Sequence, residues 1–275
     1  MNRSSVSCSD LSNCFCQYLS AVITLPQIII NWILLISVDA NAVFITSDRL
    51  QQVYVITDQN TLVKYDSSGK RLFTYNQTRF GQLRSVDASN PMKVICSYPD
   101  YGNVVMLDNT LSEVGVISLK LLGISNYKTL CFSPRDNNFW VYDEDAYKLK
   151  KVDRNGNIIL ESTDMVLQLG ETIHPVYMQE ENELLFASDT ARGVFVFDLH
   201  GVYYETLPFK GVQKFQVRGD RLFFPEWNSL HSYQLKTLEE KLITLPDIDR
   251  LQDVRLENNR LYLCSTRGEL EIYRY

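Results

Sequence analysis

Four stretches of this chain align with one another: VYVITDQNTLVKYDSSGK from Val53, VICSYPDYGNVVMLDNTL from Val94, FWVYDEDAYKLKKVDRNG from Phe139 and LLFASDTARGVFVFDLHG from Leu184. Each reads as an apolar run, a polar turn, a second alternating run, an aspartate and a second turn. The closing aspartates Asp66, Asp108, Asp153 and Asp198 follow one another at spacings of 42, 45 and 45 residues. Two more copies lack the aspartate: RLFFPEWNSLHSYQLK from Arg221 and RLYLCSTRGELEIYRY from Arg260. A fixed period constrains a fold strongly, because each unit is one supersecondary piece that buries its apolar face only against its neighbours.

Further strand candidates fill the gaps. After the second turns come KRLFTY, SEVGVISL, NIILES, YYETLPF and KLITL; before the hairpins come NAVFITS, QLRSVDA, KTLCFSP, PVYMQEE, VQKFQVR and QDVRLEN. Short runs at this spacing, rich in the chain's 16 Tyr and 13 Phe, predict strands. Four strands in a period near 40 predict a propeller blade, and no long 3.6-residue periodicity competes with it. The expected fold is all-β: a six-bladed β-propeller of four-stranded antiparallel blades over 43–275. The sixth unit stops at Tyr275 without a fourth strand. Either a segment near residues 36–42 closes the ring, or the last blade has three strands.

The first 42 residues differ from the rest. They hold Cys8, Cys14 and Cys16, one basic residue (Arg3), and the apolar run IIINWILLISV from Ile28 to Val38, followed by Ala40-Asn41-Ala42. An apolar segment ending in small-x-small resembles a secretory signal. Pro26, Gln27 and Asn31 interrupt it, and a membrane span needs about 20 apolar residues. A cleaved signal over 1–42 is expected, with an uncleaved anchor or a packed N-terminal segment as the alternatives. The remaining cysteines, Cys96, Cys131 and Cys264, lie in apolar strand-like runs and make neither a disulfide framework nor a zinc motif. The net charge of −6 argues against nucleic acid, whose backbone demands clustered Lys and Arg.

FWVYD (Phe139–Asp143), then YKLKKVD (Tyr147–Asp153) and Gly156, resembles the NHL blade pattern, and Tyr54-Val55-Ile56-Thr57-Asp58 is similar to the YVTN signature. The resemblance spans 43–275, weakens in blades five and six, and implies a fold rather than an activity. The chain also resembles secreted propellers of bacterial envelopes, which implies a periplasmic or secreted location. There is no GH…WD pair, kelch double glycine or YWTD.

The aspartate turns raise the question of calcium. A calcium loop spaces its ligands as D-x-[DN]-x-[DN]-G, and in Asp153-Arg154-Asn155-Gly156 the glycine comes two places early. A tight turn, with the carboxylate accepting backbone N–H groups, is expected instead.

In a propeller the innermost strands line a channel. The turns between second and third strands crowd one mouth, together with the links between blades. Those turns carry Asp58, Asp100, Asp143, Glu144, Asp145, Asp189 and Glu226 among Tyr98, Tyr101, Tyr142, Tyr147 and Trp227, with Arg192 and Arg267 as cations. An acidic, aromatic rim suits a protein, peptide or glycan partner. The expected binding residues are Asp58, Tyr98, Tyr101, Asp143, Tyr147, Arg192, Trp227 and Arg267. Six copies of one turn would also repeat such residues without any partner. The competing expectation is a metal-dependent hydrolase or lyase at the channel mouth, with His174, Glu171, Asp87 and Asp253 converging on a metal or acting as a base. No GxSxG, phosphate loop or Cys–His pair is present. The leading expectation is therefore a monomeric, non-enzymatic recognition or scaffold module without cofactor or metal. It would meet a membrane only through an uncleaved N-terminal segment.

Overall fold

A computed structural model describes residues 25–275. The part of the expected signal segment before Leu25 lies outside the described residues. The chain forms six sheets arranged as blades, each with four antiparallel strands in order from channel to rim. Blade one is Ala42–Ser47, Val53–Thr57, Thr61–Tyr65 and Arg71–Asn76. Blade two is Ser85–Asp87, Val94–Tyr98, Asn103–Leu107 and Glu113–Ser118; blade three is Leu130–Ser133, Asn138–Asp143, Lys148–Val152 and Ile158–Glu161. Blade four is Tyr177–Glu181, Leu184–Asp189, Gly193–Asp198 and Tyr203–Leu207. Blade five is Gln216–Arg218, Arg221–Glu226, Ser229–Gln234 and Glu240–Thr244.

Blade six takes Leu251–Glu257, Arg260–Ser265 and Glu269–Arg274 from the C-terminus, and its outer strand, Ile33–Asp39, from the N-terminal side. The ring thus closes by pairing the two ends of the described chain, slightly upstream of the segment near 36–42 that the sequence offered. Gln27–Ile28 adds a short parallel strand to the edge of blade five. Between these two strands Trp32 donates from Nε1 to the Thr244 carbonyl (2.8 Å) and packs edge-on against Tyr275. Much of the apolar run expected as a signal core is therefore strand here. No helix of the described residues is long and apolar enough to cross a membrane.

The core is not central. It is divided into six apolar wedges, one between each pair of adjacent blades. Second and third strands are covered on both faces and are buried almost throughout, whereas outer strands alternate or face water. That explains why the hairpins are the most apolar part of every repeat. Cys96, Cys131 and Cys264 are buried free thiols within these wedges.

The aspartate turns close the hairpins as expected. Asp153 Oδ1 accepts the N–H groups of Asn155 and Asn157 (both 2.8 Å), and Asp66, Asp108 and Asp198 repeat the pattern. Gly156 supplies the left-handed residue (φ 79°) that the turn requires. Blade two puts Leu111 there at φ 62°, with its side chain in the wedge between blades one and two. Blade five, which lacks the aspartate, turns instead between Gln234 and Glu239.

Candidate functional site

Links between blades rest on the hairpin turns and together build one continuous loop face. Gly102 O accepts from Leu119 N (2.7 Å), Tyr147 O from Met165 N (2.8 Å), Thr190 O from Gly211 N (2.7 Å) and Asn41 O from Asp58 N (2.9 Å). On this face Trp227 is 93 % exposed and Tyr101 57 %. Trp227 sits at the tip of its hairpin with φ 54°, a backbone region unfavourable for a bulky residue. Leu121 and Leu167, in the links after blades two and three, add exposed apolar surface.

Asp58 is exposed, Tyr147 half-buried, and Arg267 exposed and paired with Asp249 (2.8 Å). Two expected rim residues are not available to a partner. Tyr98 is buried in the wedge between blades one and two, its ring tilted against that of Phe80 with centroids 5.5 Å apart. Asp143 is buried, ion-paired with Lys150 Nζ at 2.8 Å, and accepts the N–H groups of Asp145 and Ala146 in its own turn. Counting them with the turns misplaced both: each is the last residue of a second strand whose two faces are covered.

The residues named for a channel metal lie in two places. His174 and Glu171 belong to the link between blades three and four. His174 Nδ1 is 2.8 Å from Glu144, its backbone N–H donates to Asp189 (2.9 Å), and Glu171 pairs with Arg192 at 2.6 Å. Asp87 and Asp253 sit on inner strands and stitch neighbouring blades together. Asp87 accepts from Phe132 N (2.8 Å), and Asp253 accepts from Ile45 N (3.3 Å) and from Lys214 Nζ. Gln179 and Gln216 do the same with paired bonds to the backbones of Val217 and Leu256. Among the described residues no group of three or more His, Cys, Asp or Glu side chains is placed to hold a metal ion.

Lys214, Tyr177 and Arg255 obstruct the channel and were not singled out in the sequence. Lys214 lies against the Phe44 ring, 3.6 Å from its centroid. Burial pulls the Lys214 amine down to about 7, with Arg255 adding to the effect and Asp253 opposing it. The sequence carried a signal for Arg255 alone: on its inner strand, Asp253, Arg255 and Glu257 alternate onto one face.

No family model matches this chain, and no curated protein matches it. Solved structures do. The WD40 domain of Neurospora crassa Pan2 superposes with a TM-score of 0.66 at 10% identity, covering 88% of this chain and 95% of that one. Virginiamycin B lyase from Staphylococcus aureus, solved in an inactive form with quinupristin, gives 0.64 at 10% identity, covering 89% and 100%. BamB from Moraxella catarrhalis gives 0.50 at 13% identity, covering 84% and 82%. At such identities the likeness establishes the propeller fold alone.

Proposed function

We propose that this protein is a non-enzymatic recognition module that engages a protein partner through its loop face. The observation that carries the proposal is Trp227, almost fully exposed at the tip of a hairpin and held in a costly backbone conformation. Tryptophan is among the side chains enriched where protein interfaces concentrate their binding energy. Tyr101, Leu121 and Leu167 stand on other blades and links of the same face. Contact points spread round a ring match a broad macromolecular surface better than a small substrate. Of the carboxylates named for hydrolase or lyase chemistry, Asp87 and Asp253 are tied to backbone and to Lys214, and Glu171 to Arg192, which favours the recognition reading.

The test is photo-crosslinking in the native host, with p-benzoylphenylalanine at 101, 121 or 227, and at Leu50 or Leu238 on the opposite face. A shared adduct from the loop-face positions, lost on adding Trp227→Ala to the position-101 probe, is expected. Adducts only from the opposite face, or none, would overturn the reading.

The same reading includes an envelope location and kinship with NHL- and YVTN-type propellers. The blade signatures FWVYD and YVITD support the kinship, from which the location is extended. The working form keeps Gln27–Asp39, since without it blade six loses its outer strand. N-terminal sequencing of protein from the envelope fraction should find a start at or before Gln27. A start at Val43, or a wholly cytoplasmic protein, contradicts it.

A further inference from the structure

The channel mouth opposite the loop face opens into a cavity of about 470 Å³, where the inner strands end. That is the size of a small-molecule site. Its floor is Arg255, 3 % exposed, which donates from Nη1 to the Phe215 carbonyl and from Nη2 to the Tyr177 hydroxyl (both 3.0 Å). Arg255 Nε is buried and has no partner among the described residues. Buried donors are rarely left unmade, so the orphaned Nε leaves the Arg255 guanidinium incompletely answered at the cavity floor.

The wall of the same cavity carries carboxylates in the opposite condition. Glu257 accepts from Ser47 Oγ (2.6 Å) and lies 4.0 Å from Arg218 Nε. Glu181, half-buried, has neither a hydrogen bond nor an ion pair among the described residues. Burial raises its carboxyl above the usual range, against the pull of Arg218 and Arg49. A carboxylate raised by burial lacks a sufficient cation. Arg49, exposed at the rim, has no ion-pair partner either. Glu181 and Arg49 thus leave unpaired charges of both signs at the cavity, beside the partly answered Glu257 and Arg255. A simple anion would meet Glu181 and Glu257, and a simple cation would meet Arg49, Arg218 and Arg255. Repulsion of the wrong partner selects as strongly as attraction of the right one.

We propose that this cavity binds a small zwitterion, an α-amino acid or dipeptide, with its carboxylate toward Arg255 and Arg49 and its ammonium toward Glu181 and Glu257. The site is separate from the loop face and does not depend on the function proposed for it.

Isothermal titration of the full chain would use a panel of amino acids and dipeptides, with succinate and putrescine as analogues bearing one sign of charge. One-site saturable binding by at least one zwitterion, and by neither analogue, is expected. Glu181→Gln and Arg49→Ala, each checked for unchanged circular dichroism and melting, should each weaken it by roughly tenfold or more, the loss of one charged contact. Trp227→Ala should leave it unchanged, which separates this site from the loop face. The proposal fails if no zwitterion binds at millimolar concentration, if succinate or putrescine binds equally well, or if Glu181→Gln has no effect.

Discussion

Trp140 shows how individual residues hold a blade. Its ring is fully buried, its Nε1 donates to Glu180 at 2.6 Å, and Lys151 Nζ stands 4.9 Å from the ring centroid. Trp140→Ala should cost about 3–5 kcal/mol through the cavity it leaves. Trp140→Phe keeps much of the packing but leaves the buried Glu180 carboxylate with only Lys151 at 3.9 Å, for about 1–3 kcal/mol. Urea titration of both variants checks the order; a phenylalanine variant as damaged as the alanine one would assign the effect to the hydrogen bond. The turn aspartates make a pH prediction. The Thr110 hydroxyl and then the N–H of Ser112 hold Asp108 below the usual carboxylate range, and the Asn157 side chain and N–H do so for Asp153. Both folded values lie below the unfolded one, near 3.9. Their contribution is therefore complete above that value and is lost as pH falls through the folded values. Asp108→Asn with Asp153→Asn keeps the acceptors but has no proton to take up. Its melting temperature should fall less steeply than wild type in acid, as scanning calorimetry across that range would show. These turns were legible in the sequence because an aspartate accepting the N–H groups two and four residues on is local chemistry. Tyr98 and Asp143 were not, because their burial depends on which blade packs beside them.

Among the elements, the outer strands are the ones whose placement depends on a single close contact. Gly193 opens the third strand of blade four at φ 129°, and a Cβ there would lie 2.3 Å from the Leu207 carbonyl oxygen of the outer strand. Gly193→Ala should push that strand away and cost about 1–3 kcal/mol of backbone strain. Faster hydrogen exchange confined to Tyr203–Leu207 would show it, and unchanged exchange would refute it. The closing strand is a larger case. Ile36 and Val38 pack on the wedge between blades six and one, and Ile30 and Trp32 on the wedge between blades five and six. Four half-buried apolar side chains are worth about 5 kcal/mol together, comparable to the whole stability of many domains. A chain beginning at Ala40 should therefore lose most of its stability, and a lowered urea midpoint is the readout. Every strand from blade one to the third strand of blade six was readable from alternation and spacing. The closing strand was obscured because its apolar residues, unbroken over Ile33–Ile36, look like a signal core as much as like a strand. Only pairing with Glu269–Arg274, more than two hundred residues away, distinguishes the two, and no local pattern carries that information.

As a whole molecule the protein is a ring with one seam. Blades one to four are each built from a continuous stretch of chain and blade five adds only Gln27–Ile28 at its edge, whereas blade six takes a full strand from the other end of the described residues. Each wedge needs both flanking blades, so a gap at the seam exposes the apolar faces of blades one and five as well as that of blade six. Nearest-neighbour stacking makes such a loss spread. The order of events follows: the seam, held by one strand pair, opens before any interior blade does. A covalent lock across it tests this directly. Ser37 and Glu271 face each other in the register of the closing pair. Cysteines at directly paired positions of adjacent strands fall within the Cα separation a disulfide requires. Ser37→Cys with Glu271→Cys, oxidised, encloses nearly the whole ring, a long loop for which cross-linking gives about 2–4 kcal/mol. The melting temperature should then rise by about 4–16 °C over the same protein reduced. Cys96, Cys131 and Cys264 are buried, so with Cys8, Cys14 and Cys16 replaced by serine, mild oxidation should form only the engineered bond. The decisive comparison is kinetic. If the seam opens first, the lock slows unfolding by a larger factor than it speeds refolding, whereas equal effects on both arms of the chevron would mean that the seam is only partly formed in the transition state.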